Sequence, residues 1–362
     1  MSRLAIALLG KRDEPTDAVE EYCRYLADAL RGCEVQLEIR RVPWENHGWP
    51  ESLKALQLQA TQWRNTWVLV QYTALAWSSR GFPQKVLRAM KLLESAGARV
   101  GIVFHDVEPY PGIGLIDSLR RFIQVRTMRR ALDLADLAIF TVPPERLSWL
   151  PGAKQNAAFV PVGPNLPIPS TPMKTFLQDS VPMIGVFSIT GGESGERETQ
   201  IILGAVRQAV QKLGKLRLSI FGRHAELRET ELREGLRNLA VELSVEGVIE
   251  PAHVVQKLSV CDVLLFVRGP ISSRRGSAIA GIACGLPVIA YSGSETAAPI
   301  IDAGVVLVSP DRPDDLNAAL IRVLSDAAYR MDLAARSRTA YRAHFAWPAI
   351  AARFADILTK HK

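Results

Sequence analysis

The feature of this sequence that most restricts its fold is a repeated alternation between short apolar runs and longer amphipathic stretches. In the first half, the apolar runs predict strands and the stretches between them have helical periodicity. Strand followed by helix, repeated, predicts an α/β unit built on a parallel sheet with both faces covered. The predicted strands are residues 4–9, 35–42, 67–72, 99–105, 137–142 and 158–162, and the predicted helices are residues 17–30, 52–65, 83–96 and 116–134.

A proline-rich segment at residues 160–172, with five prolines, predicts a linker between two domains. The alternation then restarts. Strands are predicted at residues 183–187, 217–221, 245–249, 262–267, 287–291 and 305–308, and helices at residues 198–213, 228–242, 252–260, 277–284, 313–325 and 328–344. We therefore predict two doubly wound, Rossmann-like domains, residues 1–165 and 166–345, facing across a cleft. Ligands of such sheets bind outside the carboxyl ends of the strands.

Composition narrows the classes of function. No apolar run approaches the roughly 20 residues that span a bilayer, and the short run near the N-terminus fits a first strand better than a signal peptide. The four cysteines lie far apart, which argues against a zinc site or a disulfide framework. A soluble, cytoplasmic protein is expected. The net charge of +7 suits an anionic ligand or a membrane surface, and no nucleic-acid partner is predicted.

The segment Ser273-Arg274-Arg275-Gly276-Ser277 is the strongest candidate for binding a ligand. It follows a predicted strand and opens a helix of small residues that can lie tightly against a sheet. A helix N-terminus exposes unpaired N–H groups, Gly276 permits close approach, and the arginines suit phosphate. We predict a phosphate site here; the alternative is an exposed basic loop.

This segment continues into IACGLPVIA, which resembles the helix-to-strand segment of retaining GT-B glycosyltransferases of the large fourth family, the group 1 type. The SRRGS form is similar to a subset with arginines in the donor loop. Three further stretches resemble that family in order: ALDLADLAIFTVPPERLSWL, GVIEPAHVVQKLSVCDVLLF and FAWPAIAARFADIL. The resemblance implies an N-terminal acceptor domain, a C-terminal nucleotide-sugar donor domain, and a last helix at 346–362 that crosses back to the first domain.

The sequence departs from that family at two acidic positions. Typical members carry two glutamates flanking the donor loop, and here those positions hold Ser272 and Ala280. Glu295, shortly after the next predicted strand, is a candidate to compensate.

The other donor contacts are expected in the first turn of the second domain. Gly191 and Gly192 permit close backbone approach, and Arg197 keeps the charge of a lysine found in the family. The alternative is a flexible glycine turn with Arg197 in solvent. The resemblance also implies that Val248 and Ile249 lie beside the nucleotide base.

In the first domain, His105 and Asp106 end a predicted strand. His105 resembles a strand-end histidine that many family members use near the donor sugar, and it is also a candidate general base. The alternative is a strand-end histidine whose ring is hydrogen-bonded by the nearby backbone and has no role in binding. Further candidates for the acceptor or cleft face are Gly10, Lys11 and Tyr72.

The helical stretch with Arg120, Arg121, Arg126, Arg129 and Arg130 has apolar residues beside the arginines. It fits either a solvated helix face or an amphipathic helix on an anionic membrane.

We predict transfer of a sugar from a nucleotide-diphosphate-sugar, with UDP or GDP as the nucleotide, to a glycan, lipid-linked or small-molecule acceptor. The resemblance implies retention of configuration, and no DxD-type motif points to a metal, so metal independence is expected. His105, Arg197 and Arg274 are the catalytic candidates. Two alternatives stay open: an inverting GT-B enzyme or epimerase with His105 as base, and a non-catalytic GT-B protein that binds a nucleotide sugar.

Overall fold

The computed structural model describes residues 3–112, 114–150, 152, 154–169 and 181–361. The chain divides into two compact units. The N-terminal unit comprises residues 1–162 and 347–362, and the C-terminal unit comprises residues 163–346. The predicted linker from residue 170 onward lies outside the described residues.

The N-terminal unit contains a six-stranded sheet in the order β2-β1-β3-β4-β5-β6, in which every described pairing is parallel. The order reverses between β1 and β3. The strands are β1 Arg3–Leu9, β2 Val35–Arg41, β3 Trp67–Tyr72, β4 Arg99–Phe104, β5 Leu137–Phe140 and β6 Ala157–Phe159. The helices are α1 Ala18–Leu30, α2 Trp44–Ala60, α3 Lys85–Ser95 and α4 Leu115–Leu134.

The C-terminal unit contains a second parallel sheet in the order β12-β11-β10-β7-β8-β9, which reverses between β7 and β10. The strands are β7 Met183–Phe187, β8 Leu216–Phe221, β9 Val241–Glu246, β10 Val263–Phe266, β11 Val288–Tyr291 and β12 Val305–Val308. The helices are α5 Gly192–Leu213, α6 Glu229–Gly235, α7 Pro251–Val260, α8 Gly276–Ala283, α9 Pro313–Ser325 and α10 Ala327–Ala340. The predicted α/β class is confirmed.

Central strands are buried on both faces, which explains why their sequences are continuously apolar. Every residue of β3, for example, is buried between β1 and β4. Each sheet has its own hydrophobic core under the helices that cover it.

The predicted helix 228–242 and strand 245–249 are wrong in their boundaries. Helix α6 ends at Gly235, where a Cβ atom would lie 2.7 Å from the side chain of Leu203. Asn238 then takes a left-handed conformation with φ of 68°, and β9 begins at Val241. Because β9 is an edge strand in which apolar and polar residues alternate, its sequence lacks the apolar run of a central strand.

The chain returns to the N-terminal unit at its end. A π-helical turn, Tyr341–Phe345, follows α10, and α11 spans Trp347–Lys360. Trp347 stacks on Tyr25 of α1 with ring centroids 5.5 Å apart, and its ring also meets Tyr22 edge-on.

Candidate functional site

In the C-terminal unit, the sheet order reverses between β7 and β10, so the loops after these strands diverge to opposite faces of the sheet. Such a reversal opens a crevice at the carboxyl ends of the strands. The loop after β7 leads into α5, and the loop after β10 leads into α8. Both predicted phosphate-binding segments therefore follow strands at this crevice.

The start of α5 is a glycine turn held in a fixed shape. Gly191 is the N-cap and supplies no side-chain cap, and Gly192 has φ of 64° with open space where a Cβ would be. A Cβ at Gly195 would lie 2.0 Å from the carbonyl oxygen of Thr190, so only glycine fits. The buried Glu198 side chain accepts a hydrogen bond from Thr190 N at 2.8 Å. The turn is thus rigid and presents backbone amides at its open side.

Helix α8 begins in a similar way. Its N-cap, Arg275, provides no capping side chain, and Gly276 has no atom within 4 Å of a hypothetical Cβ. A Cβ at Gly281 would lie 2.5 Å from the Leu264 side chain, so the small residues of this helix allow close packing on β10. Ser273 is buried and Ser277 is half-buried at the first turn. Backbone N–H groups at this end suit an anion.

The two adjacent arginines of this loop differ in their surroundings. Arg274 makes two hydrogen bonds to the Glu295 carboxylate, from Nε at 2.7 Å and from Nη2 at 2.8 Å. Ser272 Oγ donates to the same carboxylate at 3.0 Å. Burial alone would raise the pKa of Glu295, but these bonds and the nearby arginine charges lower it. The charge of Arg274 is therefore balanced within the protein.

Arg275 has no comparable carboxylate partner among the residues that the structure describes. Its pKa is lowered to about 10, chiefly by burial and also by the positive charges of Arg274 and Arg268, while Glu295 and Glu198 act in the opposite direction. Its Nε is buried and has no hydrogen-bond partner among the described residues, and the same holds for Nε of Arg268. A buried donor without a partner is costly unless a ligand satisfies it.

Arg268 was not predicted. It stands two residues after the end of β10, and burial lowers its pKa, with Arg223 contributing in the same direction and Glu198 opposing. We call Arg223, Arg268 and Arg275 the arginine cluster. Arg223 and Arg268 each stand within two residues of a strand's carboxyl end, a signal in the sequence that would have identified both.

The other predicted donor residues lie at the edges of this region. Arg197 is exposed on α5, and its Nη2 lies 3.5 Å from Ser194 Oγ on the same helix. Val248 and Ile249 follow β9, and the Val248 side chain is 53% exposed.

A pocket of about 380 Å³ lies in the N-terminal unit, where its own sheet order reverses between β1 and β3. Gly10, Lys11 and Asp106 line it, as does Gln71 at the end of β3. The remaining lining residues are Leu9, Arg12, Asp13, Asp17, Ala18, Val19, Thr73, Leu75, Ala76, Ser79 and Tyr110. Its surface is apolar in the larger part, with polar side chains among the lining residues that can bond the hydroxyls of a small molecule.

Two of the predicted residues in this unit have structural roles. A Cβ at Gly10 would lie 2.2 Å from the Ala76 carbonyl oxygen, so the close approach at Gly10 is made by the protein's own backbone. Tyr72 is only 1% exposed, and its ring packs edge-on against Phe104 in the core of the N-terminal unit. Lys11 pairs with Glu45 at 2.8 Å.

His105 is a neutral imidazole at physiological pH, because burial lowers its pKa to about 4 despite the opposing charge of Asp17. Its Nε2 lies 2.9 Å from Gln71 Oε1. Gln71 Nε2 donates to Leu69 O at 3.1 Å, so Oε1 accepts and His105 Nε2 carries the proton. Asp106 accepts from Ala74 N at 2.7 Å and Tyr110 Oη at 2.9 Å, which shapes the loop.

Comparison with known proteins bears on the C-terminal unit first. Residues 187–326 match the family model described as glycosyl transferases group 1. The matched segment contains the glycine turn, the arginine cluster and the SRRGS loop. This match lies wholly within the C-terminal unit. Among curated proteins, no sequence matches significantly.

Solved structures resemble the chain over nearly its full length. A sucrose-phosphate synthase from Thermosynechococcus elongatus matches with a TM-score of 0.71 at 18% identity, covering 99% of this chain and 98% of that one. A glycosyltransferase from Rickettsia africae matches with a TM-score of 0.70 at 13% identity, covering 99% and 98%. The Anabaena protein HepE, in complex with UDP and glucose, matches with a TM-score of 0.63 at 15% identity, covering 99% and 100%. The predicted GT-B fold is confirmed, and the family match together with this fold supports a glycosyltransferase.

No helix within the described ranges is long and apolar enough to cross a membrane. Across the same residues, no group of three or more His, Cys, Asp or Glu side chains is arranged to hold a metal ion.

Proposed function

We propose that the protein transfers a sugar from a nucleotide-diphosphate-sugar to a hydroxyl-bearing acceptor, with retention of configuration and without a metal ion. The observation that carries this proposal is the arginine cluster between two uncapped helix starts. It combines permanent positive charge, unsatisfied buried donors and exposed amides in one crevice.

The chemical task is to stabilise the diphosphate that leaves as the glycosidic bond breaks. Glu198 and Glu295 offset the charges of Arg268 and Arg275 only in part, and both Nε atoms are buried without a partner among the described residues, so a diphosphate would supply further negative charge and the missing acceptors. Amides of Gly192 and Gly276 add donors that need no reorganisation. Arginine charge then does what a divalent cation does in other transferases, which is the basis for proposing metal independence.

Glu295 is proposed to supply the carboxylate that the family's first glutamate supplies elsewhere. Its carboxylate lies 3.0 Å from Ser272 Oγ, the residue at that position here. Arg274 is then a positioning residue that holds Glu295, while Arg197, exposed on α5, remains available to meet the outer phosphate. Val248 and Ile249 are proposed to contact the base, with UDP or GDP as the nucleotide.

The pocket in the N-terminal unit is proposed as the acceptor site, taking a glycan, a lipid-linked sugar or a small polyol, in polysaccharide biosynthesis at the cytoplasmic side of a membrane. His105 is proposed to contact the sugar as a neutral imidazole. A pKa of about 4 makes it a weak base at neutral pH, which disfavours the inverting and epimerase alternatives that need it as a base.

The test is calorimetry with UDP, GDP, ADP and dTDP and their sugars, followed by a transfer and hydrolysis assay with and without EDTA. We expect one nucleotide to bind, turnover that EDTA leaves unchanged, and a product with the donor's anomeric configuration by NMR. Binding without any turnover would favour the non-catalytic alternative. If no nucleotide binds, the donor site proposed here is wrong.

A further inference from the structure

The outward face of α4 is unusually apolar at its first two turns. Leu115, Ile116, Leu119 and Phe122 are all exposed, Leu115 to 92% and Phe122 to 63%. The spacing of 115, 119 and 122 places these side chains on one stripe of the helix, with 116 at its edge. The stripe is about 10 Å long at 1.5 Å per residue. Contiguous exposed apolar groups of this kind mark an interaction surface.

The orientation of the helix is fixed by its opposite face. The residues at 124, 127, 128, 131 and 132 are buried, and they alternate with the exposed stripe at helical spacing. Gln124 locks this face to the unit, because its Oε1 accepts from Tyr110 N at 2.8 Å and its Nε2 donates to Gly81 O at 2.9 Å. Because the opposite face of α4 is buried, the apolar stripe points away from the N-terminal unit.

The same outward face becomes basic along its second half. Arg126, Arg129 and Arg130 continue the stripe at helical spacing, and all three are exposed. Residues 118–132 contain five arginines and no acidic residue. In the described part of the chain, Arg126 and Arg130 have no ion-pair partner, whereas Arg120 on the flank pairs with Asp117 at 2.6 Å.

We propose that α4 docks the protein on an anionic lipid bilayer. The apolar side chains of the first two turns would enter the boundary between headgroups and acyl chains, and the arginines would stay at the level of the lipid phosphates. This division between an apolar end and a cationic end along one face matches the gradient across a bilayer interface.

Docking through α4 has a consequence for the pocket, which rests on the function proposed above. Gln124 bonds to the loop of Tyr110, and Arg120 Nε donates to Arg80 O at 3.1 Å. These are the two loops that carry Tyr110 and Ser79 to the pocket. A docked α4 would hold both loops near the headgroups, so the acceptor class that fits best is a lipid-linked one.

The experiment is co-sedimentation of the full chain with vesicles of phosphatidylcholine alone or mixed with phosphatidylglycerol, at low and high salt. We expect binding only to the mixed vesicles, weakened by salt. The variant R126Q/R130Q should lower the partition coefficient about tenfold or more, since each arginine near an anionic surface contributes about fivefold. The variant L119S/F122S should lower it by about tenfold or more as well, because two apolar side chains that would leave water are removed. Matched controls are L58S on α2 and R237Q after α6, both at exposed residues, which should bind like the wild type.

Equal binding to both vesicle types, no binding, or unchanged binding of both double variants would overturn the proposal. A dimer in sedimentation velocity that L119S/F122S abolishes would instead assign the face to a second copy of the chain. Nucleotide binding measured by calorimetry should be the same in every variant. Failure at the vesicle step with intact nucleotide binding would leave the donor site standing and reject only the docking surface.

Discussion

Arg274 and Arg275 are neighbours in the sequence, but their charges are balanced in different ways. Arg274 is held by Glu295, whereas Nε of Arg275 is buried without a partner among the described residues. Arg275→Gln should therefore leave the free energy of unfolding nearly unchanged while weakening nucleotide binding by about tenfold to a hundredfold, as loss of a charge-assisted bond does. Calorimetry with the bound nucleotide and urea unfolding measure the two effects.

The matched control is Arg274→Gln. It leaves the Glu295 carboxylate partly buried without its cation, so we expect a loss of about 2 kcal/mol in unfolding free energy. If Arg275→Gln destabilised the protein as much and left binding intact, its role would be structural.

His105 gives the molecule a pH dependence of stability. The unfolded chain takes up a proton near pH 6.5, whereas the folded protein does so only near pH 4. The contribution of His105 to the free energy of unfolding is therefore fully present above pH 6.5. It is lost as the pH falls toward 4, by up to about 3 kcal/mol. Urea unfolding from pH 7.5 to 4 should show this slope. His105→Gln should flatten it and His224→Gln, at an exposed residue, should not; an unchanged slope in His105→Gln would assign it to other groups.

At the scale of single elements, two glycines of α5 have opposite roles. Gly195 lies at the glycine turn, where a Cβ would overlap the Thr190 carbonyl, whereas Gly204 in the middle of the helix has nothing within 4 Å. Gly195→Ala should lower the unfolding free energy by about 2–3 kcal/mol, because the turn must shift. Gly204→Ala should raise it by about 0.5–1 kcal/mol, since alanine is the better helix former.

Urea unfolding of Gly195→Ala and Gly204→Ala measures both changes in unfolding free energy. Gly195→Ala should also weaken nucleotide binding, because the amides of the turn move with the backbone. Stability equal to the wild type in Gly195→Ala would mean that the turn is not the rigid element described.

At the scale of elements, the sequence also shows what apolar patterning can and cannot predict. Each predicted strand has a counterpart in the structure, because eight of the twelve described strands lie between two neighbours in a sheet and are apolar runs. The strand predicted at residues 245–249 lies instead at Val241–Glu246, which is β9. This edge strand alternates apolar and polar residues, and it begins soon after Asn238, which has a left-handed backbone conformation. The helix predicted at residues 228–242 was too long at its C-terminal end, because α6 ends at Gly235 and the chain then turns into β9.

For the whole molecule, the last helix belongs to the first unit although the chain has passed through the second. Phe354 on α11 is fully buried, as is Phe345 in the π-helical turn of the C-terminal unit. Phe354→Ala should cost about 3–4 kcal/mol and raise amide exchange in α1 and α11, while Phe345→Ala should raise it in the C-terminal unit. Hydrogen exchange measured by mass spectrometry distinguishes the effects of the two variants. Identical exchange maps for both would mean that the two units do not unfold separately.

The sequence by itself determined the alternation of strand and helix, the restart after the prolines and the position of the two glycine-containing loops that are proposed to bind an anion. These features are encoded locally, in periodicity, glycine and charge. The tertiary structure alone decided which charges are balanced. Glu295 lies twenty-one residues from Arg274 and reaches it only because β10 and β11 are adjacent in the sheet. Tyr72 and Gln71 are both buried, but of the two only Gln71 lines the pocket of the N-terminal unit. The fold also left Arg268 and Arg275 with buried donors that a ligand can satisfy.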